Sequence, residues 1–476
     1  MRASNRTLWT LAISSVAAFM VALDNLVVTM ALPAISADLG AGLASLEWTV
    51  NAYTLTFAVL LLTGAALGER FGRRRLFVIG LAVFTAGSAA AALAPSLELL
   101  LAARALQGVG GAIVTPLSLT LLSAAVPTER RGLAIGVWSG VSGLGVGLGP
   151  VVGGAIVEGV SWHWIFWLNV PIGALAIPLA RRLLTESRGP AARLDLPGLA
   201  LAGLGLLGIV FGLVRGNQGG WSSGEVLLPL GAGAALIGAF IAWEQRAAAP
   251  MLPMRFFRSR AFAATNAVSF VMYLGLFGSA FLLSQYLQTA HGYSPLGAGI
   301  RTLPWTAMPL LVAPIAGALS DRIGGRPLMT AGLALQAAAL AWIAGIASPT
   351  VPYLELVPGF FVAGVGMAFV FAPVTNVVLG AVKQHEAGAA SGANSAIREL
   401  GGVFGIAILA AIFNGAGSYA SPHAFVDGLG PAILAGAGAM AFASLVALLI
   451  PGRSHQRSGA LASRDRRRLQ PAAAQA

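Results

Sequence analysis

Fourteen predominantly apolar segments, each about as long as a helix that crosses a bilayer, lie between residue 8 and residue 450. Hydrophobic residues make up 57% of the 476 and charged ones 10%, with a mean hydropathy of +0.81. Soluble domains carry about a quarter charged residues. The predicted fold class is therefore an all-α polytopic membrane protein. The basic lead MRASNR and the apolar stretch after it resemble a secretory signal, but the stretch continues from Leu8 to Pro33. A signal's apolar region ends after about 7 to 15 residues, so an uncleaved first span is expected. There is no cysteine, so disulfides and thiol-ligated metals are excluded. The net charge of +12 does not point to nucleic acid, because the basic residues are scattered through short loops rather than gathered on one face.

Those loops orient the chain. Lys and Arg collect on the cytoplasmic side of membrane proteins, and only Arg104, Arg215 and Arg301 of the 29 fall outside alternate loops, the N-terminal lead and the tail. This reading counts Arg398 among the loop residues after span 12. It predicts an even number of spans with both termini cytoplasmic. The pair of spans near 197–214 and 225–244 is glycine-rich, and re-entrant segments are an alternative there.

Residues 65–75 read AALGERFGRRR, and GALSDRIGGRP follows at 317–327. Leu67, Glu69, Arg70 and Gly72 fall on Leu319, Asp321, Arg322 and Gly324, an offset of 252. GVGGA at 108–112 matches GVGMA at 364–368, and Gly132, Gly136, Gly145 and Gly149 match Gly388, Gly392, Gly401 and Gly405, at an offset of 256. A nearly constant offset implies two six-helix bundles related as a parallel repeat, an architecture of secondary transporters. The expected organisation is a first bundle over 1–183, a linker with two additional spans over 184–260, a second bundle over 261–451, and a disordered basic tail over 452–476.

Charges inside spans mark candidate sites. Asp24 lies about 24 Å into its span at 1.5 Å per residue, where insertion of an ionised Asp costs about 2.5 to 3.5 kcal/mol. Such a group can carry a proton or face a cationic substrate, but holds both poorly at once. Arg104 is the basic residue deep in the first bundle, with Gln107 one turn on and sharing its face. An Arg beside Asp24 favours the ionised carboxylate; an Arg five residues into its span can also snorkel to the outer interface. The position matching Arg104 in the second copy is Phe360, which concentrates the expected proton chemistry in the first bundle. In span 5, Gly145, Gly149, Gly153 and Gly154 permit close helix approach, and Pro150 removes a backbone hydrogen bond. Trp48, Trp162, Trp164 and Trp167 are expected in an outer aromatic belt. Gln285, Tyr286 and Gln288 are expected near the outer end of span 9, as path-lining or interfacial groups.

The turn at Glu69, Arg70, Gly72 and Arg73, the stretch RALQGVGGA in span 4 and GVGLGPVVGG in span 5 resemble motifs of the major facilitator superfamily. LDNLVVTMALPAI, EWTVNAYTL and WHWIFWLNVPIG resemble its fourteen-span drug/proton antiporter branch. The chain departs from the family pattern at Ala65, Glu69, Leu26 and Thr29. The resemblance implies a role for Arg104 in proton coupling and a hinge or seal between bundles in the helix of Gly145–Gly154. Glu69 and Asp321, with Arg70, Gly72, Arg73, Arg322 and Gly324, are expected to form gating turns whose acids pair with a cytoplasmic-side arginine or a helix N-terminus in one state and release it in the other.

These readings converge on a proton-coupled antiporter exporting small amphipathic or cationic organic compounds from a bacterial cytoplasm. Its expected partners are protons, a small-molecule substrate and the bilayer. It is expected to act as a monomer, with no cofactor, no metal and no catalytic role. No phosphate-binding Gly-x-x-x-x-Gly-Lys-(Ser/Thr) loop is present, since Lys383 is followed by Gln384. Proton-coupled uptake of a nutrient is the alternative direction, and a transport-inactive receptor a further one.

Overall fold

A computed structural model describes residues 3–40, 42–127, 131–188, 194–382 and 386–452. The expected basic tail beyond 452, Arg130 and Lys383 lie outside the described residues, and so does the side chain of Asp321.

The elements are α1 (Ala3–Leu39), α2 (Leu43–Phe71), α3 (Arg73–Ala92), α4 (Leu97–Ala125), α5 (Arg131–Gly159), α6 (Trp164–Trp167), α7 (Asn169–Leu183), α8 (Leu196–Gly219), α9 (Gly224–Glu244), α10 (Arg260–Gln285), α11 (Pro295–Thr306), α12 (Met308–Ile323), α13 (Gly325–Ile346), α14 (Tyr353–Gly380), α15 (Ala387–Ala416) and α16 (Pro422–Ala447). There is no strand among the described residues. A bilayer core offers backbone groups no water, so a chain this apolar satisfies them within helices. Two spans are broken: α6 hands over to α7 at Leu168, and α11 to α12 at Ala307, where Pro304 and Pro309 remove amide donors. Counting each broken pair once, there are fourteen helical segments among the described residues long and apolar enough to cross a membrane. α8 and α9 are full-length members of that set and pack on each other, so the re-entrant alternative is not what the chain adopts.

The repeat is visible in the packing. Gly72 and Gly324 each join two helices with a positive φ, +108° and +89°, a region that side chains rarely adopt, and each donates its N–H to the carbonyl four residues earlier. Gly145 approaches the Phe19 carbonyl of α1, and Gly401, its repeat partner, approaches the Phe270 carbonyl of α10. In the same way Gly108 lies against α2 at Tyr53, and Gly364 against α11 at Trp305. The two bundles are α1–α7 and α10–α16, with α8 and α9 outside them; α8 joins α2 and α15 through Leu206, Val210, Leu55 and Val403.

One face of the molecule carries the Gly72 and Gly324 turns and their arginines; the opposite face is called the far side below. The largest core, that of the second bundle, continues into the first through far-side residues, among them Val28, Leu32, Ile35, Leu46, Trp162 and Phe166. The rest of the first bundle has its own core around Phe77, Phe84 and Leu117. Between bundles, Gly154 meets Pro295 and Gly299 meets Pro150 backbone to backbone. The Glu158 carboxylate accepts from the Leu296 N–H at 3.2 Å, and the Ser284 hydroxyl reaches the Thr29 carbonyl at 3.5 Å. The far side is closed.

Candidate transport site

Asp24 sits in the middle of α1, with Arg104 and Gln107 on α4 and Asn169 at the start of α7. None of Asp24, Arg104 and Gln107 has accessible surface, and Asn169 has almost none. Arg104 Nη1 donates to Asp24 Oδ2 at 2.5 Å and to Gln107 Oε1 at 2.9 Å, while its Nε donates to the Thr49 carbonyl at 3.1 Å. Gln107 Nε2 donates to Asp24 Oδ1 at 3.1 Å and to the Ser88 hydroxyl at 2.7 Å, and Asn169 Nδ2 reaches Asp24 Oδ1 at 2.8 Å. The guanidinium lies 4.4 Å from the Tyr53 ring centre and 5.7 Å from that of Phe166. Its remaining nitrogen, Nη2, has no hydrogen-bond partner; the two rings take that place.

The break after α6 explains how Asn169 arrives. Trp164–Trp167 form one short turn, Leu168 bonds back to it, and the chain re-enters as α7 with Asn169 first and Pro171 third. Close approach of the helices does the rest. An added Cβ at Gly87 of α3 would press on Gln107, and one at Gly108 on α2. The arginine of the span 4 motif therefore turns inward to Asp24, and the snorkelling alternative is not adopted. The Asp24 oxygens already accept from three side chains and expose nothing, so in this conformation Asp24 presents no free face to a cation.

The other expected residues are placed less uniformly. Gly145, Gly149 and Gly153 form a stripe against Phe19, Leu26 and Val27 of α1, inside their own bundle; only Pro150 and Gly154 of the expected interface set face the other bundle, at α11. The reason is angular: positions four apart share one helix face, and Gly154 and Pro150 lie on another. At the gating turn, Glu69 pairs with Arg73 of its own turn at 2.7 Å. At the start of α3 the Glu186 oxygens accept from the Arg74 and Arg75 N–H groups at 2.9 and 3.1 Å. Arg70 is exposed beside Phe71, and Arg322 lies on the last turn of α12 before Gly324. Among the described residues, Glu69 makes its ion pair within its own bundle, with Arg73.

Three expectations are corrected. Trp162 is buried and donates to Asp38 at 2.9 Å, so it belongs to the far-side core rather than an aromatic belt. Gln285 and Tyr286 are also fully buried; Tyr286 donates to the Ser348 carbonyl and Gln285 accepts from Tyr419, so both serve the far-side closure. Arg398 is not a loop residue: it is the twelfth residue of α15. Beside it, Glu399 is a buried acid of the second bundle that the sequence reading passes over. Its signal was an Arg-Glu pair inside a span-length apolar segment.

A model of the Major Facilitator Superfamily matches residues 14–406 and 265–474. The chain belongs to the major facilitator superfamily. The multidrug resistance protein Stp of Mycobacterium tuberculosis (strain CDC 1551 / Oshkosh) is 36% identical over 86% of this chain and 76% of its own length. The tetracenomycin C resistance and export protein of Streptomyces glaucescens is 35% identical over 84% and 74%, and the cephamycin export protein CmcT of Amycolatopsis lactamdurans 36% over 93% and 91%. The names of these relatives are those of drug-resistance and antibiotic-export proteins. Among solved structures, a peptide transporter POT in complex with sulfate matches with a TM-score of 0.67 at 16% identity, covering 93% of this chain and 94% of that one. The bacterial homolog to human lysosomal transporter Spinster matches with 0.65 at 16%, covering 94% and 97%. Fold class and family thus agree with the sequence reading: this is a multi-pass membrane transporter.

Proposed function

We propose that this superfamily member is a proton-coupled antiporter that exports small amphipathic organic compounds across a bacterial cell membrane, acting as a monomer with both termini in the cytoplasm. The arginine-rich face is then the cytoplasmic one and the far side the external one. The observation that carries the reading is the Asp24–Arg104 pair, ion-paired at 2.5 Å with no accessible surface. Breaking a buried pair by removing one charge costs about 3 to 5 kcal/mol. A proton arriving on Asp24 has the same electrostatic effect, because it leaves Arg104 without its counter-charge. The bundle can relieve that cost only by rearranging α1 against α4, and α1 also touches α10 of the other bundle. Protonation and the tilt of one bundle against the other are thereby tied together. The names of the relatives support outward movement of antibiotic-like compounds. The uptake alternative uses the same pair and differs in direction.

The test is substrate-driven proton flux in proteoliposomes, wild type beside Asp24→Asn. The variant is expected to bind substrate and to move no protons. Since Asp24→Asn leaves Arg104 unpaired, the double variant Asp24→Asn/Arg104→Gln, which restores neutrality, is run with it. Proton flux equal to wild type in either variant overturns the proposal.

A further inference from the structure

Among the described residues, three charged side chains lie more than ten residues from either end of their helix: Asp24, Arg398 and Glu399. Asp24 is fully enclosed, and the Glu399 side chain is 9% accessible; the Arg398 side chain is 35% accessible. A guanidinium about 17 Å into a spanning helix, at 1.5 Å per residue, is not left facing hydrocarbon, because that is costly for Arg at such depth. Its accessible surface therefore calls for water or a polar ligand rather than lipid.

The surroundings are those of a ligand site rather than a closed ion pair. Arg398 Nη2 meets Glu399 Oε1 at 3.7 Å, too long for a hydrogen bond, and Arg398 Nε and Glu399 Oε2 have no hydrogen-bond partner. The guanidinium lies 4.9 Å from the ring centre of Tyr273. Tyr273 stacks on Phe277 at 5.2 Å and meets Phe371 of α14 at 6.0 Å. Gly402, one turn beyond Arg398, lies against the Phe277 ring. Phe277 and Phe371 are themselves only partly buried. A loosely held, partly accessible cation thus stands over Tyr273, beside the aromatic cluster that Tyr273 forms with Phe277 and Phe371, and the carboxylate that partners it is the less accessible of the two.

We infer that Arg398 is a cargo-recognition residue and that the cargo it takes is an aromatic organic acid. The carboxylate or phenolate bonds to the guanidinium fork, and the ring packs on Tyr273, Phe277 and Phe371. The inference rests on the transporter reading but not on proton coupling, and it assigns cargo recognition to the second bundle.

The experiment is equilibrium binding to the purified protein without any proton gradient, using fluorescein as the anionic aromatic probe and ethidium as the cationic one. Fluorescein is expected to bind the wild type and to bind Arg398→Gln at least about tenfold more weakly, the size of one charge-assisted hydrogen bond. Arg398→Lys should recover part of that loss, and Glu399→Gln should keep or tighten fluorescein binding. Arg398→Gln/Glu399→Gln, which leaves no unpaired charge to unfold the site, must lose it too. The inference falls if the wild type does not bind fluorescein, if Arg398→Gln binds it as the wild type does, or if ethidium binding is what Glu399→Gln removes. Failure here leaves the proton-flux result for Asp24→Asn standing, and the converse also holds.

Discussion

Arg104 does three things at once. It forms an ion pair with Asp24, it donates to the Thr49 carbonyl, and its flat face lies between Tyr53 and Phe166. Lysine keeps the charge but has neither the fork nor the plane. Arg104→Lys is therefore expected to fold and to lose at least about tenfold in proton-coupled transport rate, about 1.4 kcal/mol; a wild-type rate would show that charge alone suffices. A second residue makes a prediction about pH. His291, in the far-side link between α10 and α11, has its pKa lowered, first by burial and then by the nearby Arg301. The unfolded chain then binds this proton more readily than the folded one, so the contribution is full above about pH 6.5 and is lost as pH falls below it. The thermal midpoint should drop between pH 7 and pH 5, and by less in His291→Gln. At this scale the sequence is legible where a charge stands in oil, as at Asp24 and Arg104. It is silent for Asn169 and Ser88, because uncharged polar residues occur throughout transmembrane helices. It misleads for Arg398, because a basic residue near a loop satisfies the positive-inside pattern whether or not it is in that loop.

Helix α5 shows how one element serves two neighbours. Its Gly145, Gly149 and Gly153 face takes α1, and its Pro150 and Gly154 face takes α11 of the other bundle. Filling one face should therefore have a different result from filling the other. Gly154→Leu puts a side chain where the Pro295 carbonyl now lies, so the far side should no longer close and transport should fall while the first bundle keeps its own packing. Gly149→Leu pushes on Leu26 of α1 and should lower the thermal midpoint itself, overpacking costing about 1 to 3 kcal/mol. Equal melting curves for the two variants would show that the faces are not distinct. The glycine pattern marked this helix as an interface from sequence, but which glycine meets which partner depends on rotation about the helix axis, which hydropathy does not fix. The breaks at Leu168 and Ala307 were hidden for a related reason: prolines are common in transmembrane helices, and whether one interrupts depends on what the neighbours supply.

At the scale of the whole molecule, the even span count followed from length and charge alternation, and the two-bundle architecture from the repeat. Both needed only local signals summed over a long chain. The state of the transporter was not readable in that way, since it depends on contacts between residues some 130 to 260 positions apart, such as Glu158 with Leu296 and Thr29 with Ser284. The apolar core that runs from the second bundle into the far half of the first has a thermodynamic signature. Parting the bundles there wets that surface, so the step carries a positive heat-capacity change, and cooling weakens what holds the seam shut. Spin labels on cysteines introduced at Val160 and Ala420, the native chain having none, should report a wider separation in samples equilibrated near 4 °C than near 37 °C. An organism growing in the cold would then meet a transporter whose resting posture leans toward the outside, with the gradient left to pull it back.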